Sequence, residues 1–143
     1  MAPDPLHGYA VEEQVGFLLR RAHQRHTALF QDGMASADLT PTQFTALVKI
    51  VELGRVTQNH LGRLAAMDPA TIQGVVRRLT GRGLVRRMPD PLDRRAAVLV
   101  ATDAGAALAE EAVRHGARIT EATLAPLAPA ERDHLLALLR RLG

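Results

Sequence analysis

Apolar residues recur at helical spacing between residues 10 and 32, at Val11, Val15, Leu18, Leu19, Ala22, Leu29 and Phe30, with acids early in the run and arginines later. That period and charge order predict one long amphipathic helix. Gly33 and the small-residue stretch MASAD predict a loop after it. The run Leu39-Thr40-Pro41-Thr42-Gln43 reads as a helix start, with Thr40 as N-cap, Pro41 at the first helical position and Gln43 completing a capping box. Phe44, Leu47, Val48 and Val51 are its expected buried stripe, and Gly54 its expected end. Thr57 caps a short third helix with Leu61, Leu64 and Ala65 inward. Asp68 and Pro69 start a fourth, whose inward residues are Ile72, Val75 or Val76, and Leu79, and which Gly83 closes.

Two helices separated by a few residues, the second beginning at a cap, form a helix-turn-helix. The β-prone runs Leu84–Met88 and Ala97–Val100 then predict a hairpin joined by the stretch PDPLDRRA. Three helices followed by a hairpin make a winged helix, with the hairpin as the wing. Thr102 and Asp103 start another long helix, with Ala106, Leu108, Ala109, Ala112, Val113 and Ile119 apolar. After Pro126 and Pro129, residues 130–142 form a last helix carrying Leu135, Leu136, Leu138, Leu139 and Leu142. That helix is apolar around more of its circumference than one neighbour can cover, which implies a partner surface.

Composition narrows the function. The chain has 143 residues, about one domain's worth, and no cysteine, so disulfides, thiolate metal sites and thiol redox chemistry are excluded. The N-terminus lacks a basic segment followed by an apolar run, no stretch has the length to span a bilayer, and the protein is expected to be soluble and cytoplasmic. Formal charge is +3, but residues 55 to 95 hold nine arginines against Asp68, Asp90 and Asp93, while the remainder is net negative. A basic centre between mildly acidic ends suits nucleic-acid binding; an ordinary arginine-rich surface is the alternative. Nucleophile motifs, paired carboxylates, phosphate-cradling glycine loops and metal-hydrolase signatures are all missing, so no enzyme, cofactor or metal is expected.

If the fourth helix is a recognition helix, its outward and early residues are Pro69, Ala70, Thr71, Gln73, Gly74 and Arg77. Gln73 can pair with adenine, and Arg77 can read guanine or grip phosphate. Gly74 serves either a close approach to DNA or no purpose beyond being tolerated. Arg78, beside the apolar stripe, binds phosphate or pairs internally. Thr57, Gln58 and Asn59 sit at a helix start where N–H groups suit a phosphate oxygen, although capping alone explains Thr57. In the wing, Asp93 can accept hydrogen bonds from the Arg95 guanidinium or from turn amides and so direct Arg95 to the minor groove, with Arg94 on phosphate. An ordinary turn is the alternative.

The segments LTPTQFTAL, TIQGVVRRLTGRGLV, DPLDRR and VLVATDAG, in this order, resemble the MarR family of bacterial transcriptional regulators along essentially the whole chain. The resemblance implies a mainly α-helical fold with a small β-hairpin. Residues 1–38 would form a dimerisation helix, 39–101 the winged helix-turn-helix lobe and 102–143 the helices that intertwine in the homodimer. It implies double-stranded palindromic operator DNA as partner, no membrane, and a small phenolic or aromatic-acid effector that releases a repressor. Asp93 and Arg95 match the family's wing Asp-x-Arg pair. The chain departs from the family at Asp68-Pro69, where many members carry serine and another small polar residue, and at Gln73-Gly74. The other reading is a winged helix that docks an acidic protein partner.

Six histidines are scattered along the chain, and His23 and His26 share a face of the first helix. Solvated or interface histidines, a small anionic ligand pocket, or a metal with a third ligand from elsewhere all fit that spacing. By resemblance the effector cleft lies between the first, second and fifth helices. His23, His26, Thr27, Phe30, Gln43 and Phe44 would line it, with Arg20 or Arg21 holding a carboxylate. The stretches RRAHQRH and LGRLAAMD also resemble the branch controlling the breakdown of nicotinate and related aromatic acids.

Overall fold

The computed structural model describes residues 2–143. Its helices are α1 (Val15–Gly33), α2 (Pro41–Leu53), α3 (Gln58–Leu64), α4 (Pro69–Gly81), α5 (Asp103–Leu124) and α6 (Pro129–Leu142). Strands β1 (Val85–Pro89) and β2 (Ala97–Ala101) form an antiparallel hairpin between α4 and α5, in register Val85 to Ala101 and Pro89 to Ala97. Leu99 also pairs with Val56 through both backbone bonds, Val56 N–H to Leu99 C=O at 3.1 Å and the reverse at 2.7 Å. This link roots the wing at the α2–α3 junction. A single valine carries no periodic signal, so the pairing was not legible in the sequence.

The predicted caps form. Thr40 Oγ1 accepts from Gln43 N–H and Gln43 Oε1 accepts from Thr40 N–H, each at 3.3 Å, closing the capping box. Thr57, Asp68 and Thr102 likewise accept from the amides of His60, Thr71 and Gly105. Gly54 and Gly83 take positive φ at the two helix ends assigned to them.

The first helix is shorter than its apolar pattern. Val11–Glu13 form a separate 3₁₀ turn, and Gln14 is extended before α1 begins. Nothing in the chain covers that stretch: Val11, Val15, Leu18 and Leu19 are all exposed, and Phe30 is the one buried residue of α1. On α2 the buried face is Gln43, Ala46, Leu47 and Ile50, while Phe44 and Val48 are half-buried and Val51 is exposed. The helix is apolar on several sides, so its packing against α4, α5 and β2 chooses the face. On α3, Leu61 and Gly62 are buried and Leu64 is exposed. On α5, Gly105 goes inward where Ala106 was expected, beside Ala109, Ala112 and Ile119; Val113 is exposed.

The core joins Leu47 and Ile50 of α2, Leu61 of α3, Ile72, Val76 and Leu79 of α4, and Val85 and Leu99 of the hairpin. Arg25 ties α1 to the end of α5 by donating to the carbonyls of Thr123 and Ala122, at 2.6 and 2.9 Å. Helix α6 buries no residue, and its leucines remain open to a partner.

Candidate DNA interface and effector cleft

Helix α4 lies with Ile72, Val75, Val76 and Leu79 in the core, so Pro69, Ala70, Thr71, Gln73 and Arg77 face solvent. At its start Asp68 accepts from Thr71 N–H at 2.8 Å and from Thr71 Oγ1 at 3.0 Å. These bonds, the backbone one foremost, hold the Asp68 carboxyl below its ordinary value. The Thr71 hydroxyl is therefore committed to the cap.

At the start of α3, Gln58 Oε1 accepts from Arg87 Nη2 at 2.6 Å. Gln58 thus braces the wing from the helix, while Asn59 stays exposed. The wing tip is an ordered loop: Asp90 N–H bonds Ala96 C=O at 3.0 Å and Ala96 N–H bonds Asp93 C=O at 3.0 Å. The two carboxylates point inward to backbone, Asp90 Oδ1 accepting from Leu92 N–H at 2.9 Å and Asp93 Oδ1 from Arg95 N–H at 3.0 Å. Of the alternatives for Asp93, turn amides hold it, and the Arg95 guanidinium is left outside. Arg94 and Arg95 are both exposed.

Among the described residues, the ion pairs are Lys49–Glu52, His115–Glu111 and Arg132–Glu121, none of them within residues 55–95. The nine arginines of that segment keep their charge uncompensated. Two of them also serve structure: Arg82 donates to the carbonyls of Asp38 and Ala37 at 2.6 and 3.2 Å, and Arg87 makes the bond to Gln58.

Between α1, α2 and α5 lies a cavity of about 200 Å³ bordered by His26, Phe30, Phe44, Thr45, Gly116 and Thr120, among others. Phe30 and Phe44 meet edge to face, centroids 5.9 Å apart. A Cβ on Gly116 would stand 2.9 Å from Phe44 Cζ, so the glycine makes room for the ring. Thr123 Oγ1 donates to Ile119 C=O at 2.8 Å, which leaves it to accept from His26 Nδ1 at 2.9 Å. His26 and Thr120 also border a second, apolar cavity of about 390 Å³ between α1, α5 and α6, where His23 lies with Leu135 and Leu139.

Of the residues expected in the cleft, His26, Phe30 and Phe44 come together there. Gln43 is 9% exposed and held in the capping box. His23 faces Thr27 at 3.4 Å, and the Arg20 guanidinium lies over the Phe17 ring, 5.9 Å from its centroid. Thr45, Gly116 and Thr120 had no signal in the sequence, because small residues on helices carry no periodic mark. No group of three metal-capable side chains gathers among the described residues, and no helix there is long and apolar enough to cross a membrane.

A capped helix presented beyond the core, braced against a basic two-stranded wing, defines a winged helix-turn-helix DNA-binding protein. The family model described as MarR family matches residues 39–97. The HTH-type transcriptional repressor NicR of Pseudomonas putida is 42% identical over 134 residues, 94% of this chain and 85% of that protein. A structure of BpsR of Bordetella bronchiseptica, whose DNA binding is regulated by 6-hydroxynicotinic acid, superposes with a TM-score of 0.89 at 41% identity, covering 94% of this chain and 96% of the other. The transcriptional repressor CouR, bound to a 23-mer DNA duplex, superposes with a TM-score of 0.86 at 27% identity over 99% of both chains. The chain belongs to the MarR family. It is a DNA-binding transcriptional regulator rather than an enzyme.

Proposed function

We propose that the protein is a cytoplasmic repressor which grips a palindromic operator as a homodimer and lets go when an aromatic carboxylic acid enters the cleft between α1, α2 and α5. Residues 1–38 and 102–143 serve dimerisation and residues 39–101 bind DNA. The observation that carries the reading is the set of uncompensated arginines on the α3–α4–wing lobe. In each half-site α4 enters the major groove, where Gln73 reads adenine and Arg77 contacts guanine or phosphate. Thr57 and Asn59 meet phosphate at the start of α3. The wing carries Arg95 to the minor groove and Arg94 to phosphate.

The cleft supports a ring-sized ligand: the Phe30 and Phe44 rings form its apolar wall, and His26, Thr45 and Thr120 offer polar contacts. The similarity to BpsR, whose DNA binding is regulated by 6-hydroxynicotinic acid, supports an acid of the hydroxypyridine class. A gel-shift titration with the intergenic DNA upstream of the chain's own gene tests both halves. The expected result is a shift at low salt that 6-hydroxynicotinic acid reverses and a non-aromatic acid of equal charge does not. Absence of any shift at low salt would sink the repressor and leave docking of an acidic protein as the use of the basic face.

A further inference from the structure

Residues 34–40 join α1 to α2, and the walls of the effector cleft stand at both ends of this link: Phe30 one turn before it, Pro41 and Phe44 just after it. The link is packed and internally bonded. Met34, Ala37 and Leu39 are buried in the core, and the amides of Ala37 and Asp38 both donate to Met34 C=O at 3.1 Å. Two neighbours hold it from outside. On α5, His115 Nε2 lies 3.2 Å from Ser36 Oγ and 3.4 Å from Glu111 Oε1, and His115 adjoins Gly116, which makes room for the Phe44 ring. From the end of α4, Arg82 turns its guanidinium to the next two residues, Nη1 donating to Asp38 C=O at 2.6 Å and Nη2 to Ala37 C=O at 3.2 Å.

Helix α4 has other support. Ile72, Val75, Val76 and Leu79 seat it in the core and Asp68 caps its start. Beyond its end Thr102 binds the backbone twice, through Oγ1 to Gly83 C=O at 2.6 Å and through N–H to Leu84 C=O at 3.0 Å. Arg82 adds a tie from α4 to the segment that connects the two cleft walls. Its planar fork engages successive carbonyls through bonds that are short-ranged and directional, so the end of α4 is fixed in both position and orientation relative to the link.

We propose that Arg82 is a positioning residue for release of DNA: a ligand that parts Phe30 from Phe44 shifts the 34–40 link, and Arg82 carries that shift to the end of α4. The assignment rests on the effector reading above. Coupling between two sites requires an element whose placement both of them bias, and the link is shared by the cleft and, through Arg82, by the recognition helix.

The test titrates the full-length chain onto its own upstream DNA, without and with saturating 6-hydroxynicotinic acid, and reads the ratio of the two affinities. Arg82→Met keeps the length of the stem and removes every donor; its lost charge weakens both arms alike and cancels in the ratio. Wild type should give a ratio of about fivefold or more, and Arg82→Met one within about twofold of unity. Calorimetry should still find the acid bound to DNA-free Arg82→Met within about threefold of wild type. By reciprocity, DNA should weaken acid binding to wild type by the same ratio and leave acid binding to Arg82→Met unchanged. Arg82→Gln, too short to hold both carbonyls, should also lower the ratio, and Arg82→Lys, which retains charge and donors, should restore part of it. A wild-type ratio in Arg82→Met, whatever its melting temperature, would make Arg82 a brace and overturn the assignment. Should Arg82→Met fail to fold, a wild-type ratio in Arg82→Gln overturns it instead. If the acid leaves wild-type affinity unchanged, the effector reading fails first, and this assignment with it.

Discussion

The acids of PDPLDRRA act on the backbone. Asp90 and Asp93 each accept an amide two residues ahead, and the loop closes through Asp90, Asp93 and Ala96 main-chain bonds. Arg94 and Arg95 are thereby held on a shaped tip while their side chains remain unpaired. Asp93→Ala should weaken operator binding by roughly three- to tenfold, the worth of one net hydrogen bond of about 1 kcal/mol, even though it removes a negative charge. Asp93→Asn keeps the acceptor and should bind close to wild type. A rise in affinity for Asp93→Ala, read by fluorescence anisotropy, would reduce the acid to a charge liability. In the effector cleft, Gly116→Ala places a Cβ 2.9 Å from Phe44 Cζ and pushes the ring toward the cavity. Overpacking of this kind costs about 1–3 kcal/mol, so the variant should bind an aromatic acid roughly tenfold or more weakly by calorimetry while still shifting DNA.

Helix α4 owes its start to Asp68, and that cap is tied to pH. The carboxyl is held below its ordinary value by Thr71, so the folded state prefers the ionised form. Its stabilising contribution is complete above the ordinary carboxylate value and is lost as pH falls through and below it. Thermal melts should therefore show Asp68→Ala well below wild type at pH 6 and the two converging toward pH 3; a gap that stays constant would deny the ionised cap any role. Thr40, Asp68 and Thr102 were readable as caps because capping depends on residues only a few positions apart. The buried face of α2 was not, because FTALVKIV is apolar on several sides and the choice rests on long-range neighbours. Leu47 is fully buried, so Leu47→Ala should cost about 2–5 kcal/mol in urea unfolding, whereas Val51→Ala, at an exposed position, should cost far less.

Charge and apolar surface divide the molecule into two working ends. The arginine-bearing lobe makes DNA binding a counterion-release process, and log K should fall with log salt at about −0.9 per phosphate engaged, a slope that Arg94→Ala or Arg95→Ala should reduce by roughly one. At the other end, α6 has no buried residue while Leu136, Leu138, Leu139 and Leu142 are exposed, and Leu18 and Leu19 of α1 are open as well. A surface of this kind needs a second copy to cover it. Leu139→Glu puts a charge there and should yield a monomer by light scattering, with operator affinity falling far more than binding to a single half-site. Persistence of the dimer would move the interface away from α6.

Element order, caps, wing and the excess of arginine were all set by local features: side-chain type, spacing of three or four residues, and turn chemistry acting over a few bonds. The MarR resemblance followed from those same stretches, and so did the expectation of DNA as partner. Tertiary structure decided what depends on residues far apart in the chain. It set Val11–Glu13 apart as a 3₁₀ turn before α1 begins at Val15, and it chose Ala46, Leu47 and Ile50 as the buried face of α2. It joined Val56 to Leu99, and it set Gly116 against Phe44 to shape a cleft. Hydrophobic periodicity says that a helix has an inside, but which residues meet there is a matter of shape and close packing, and those exist only once the helices have come together.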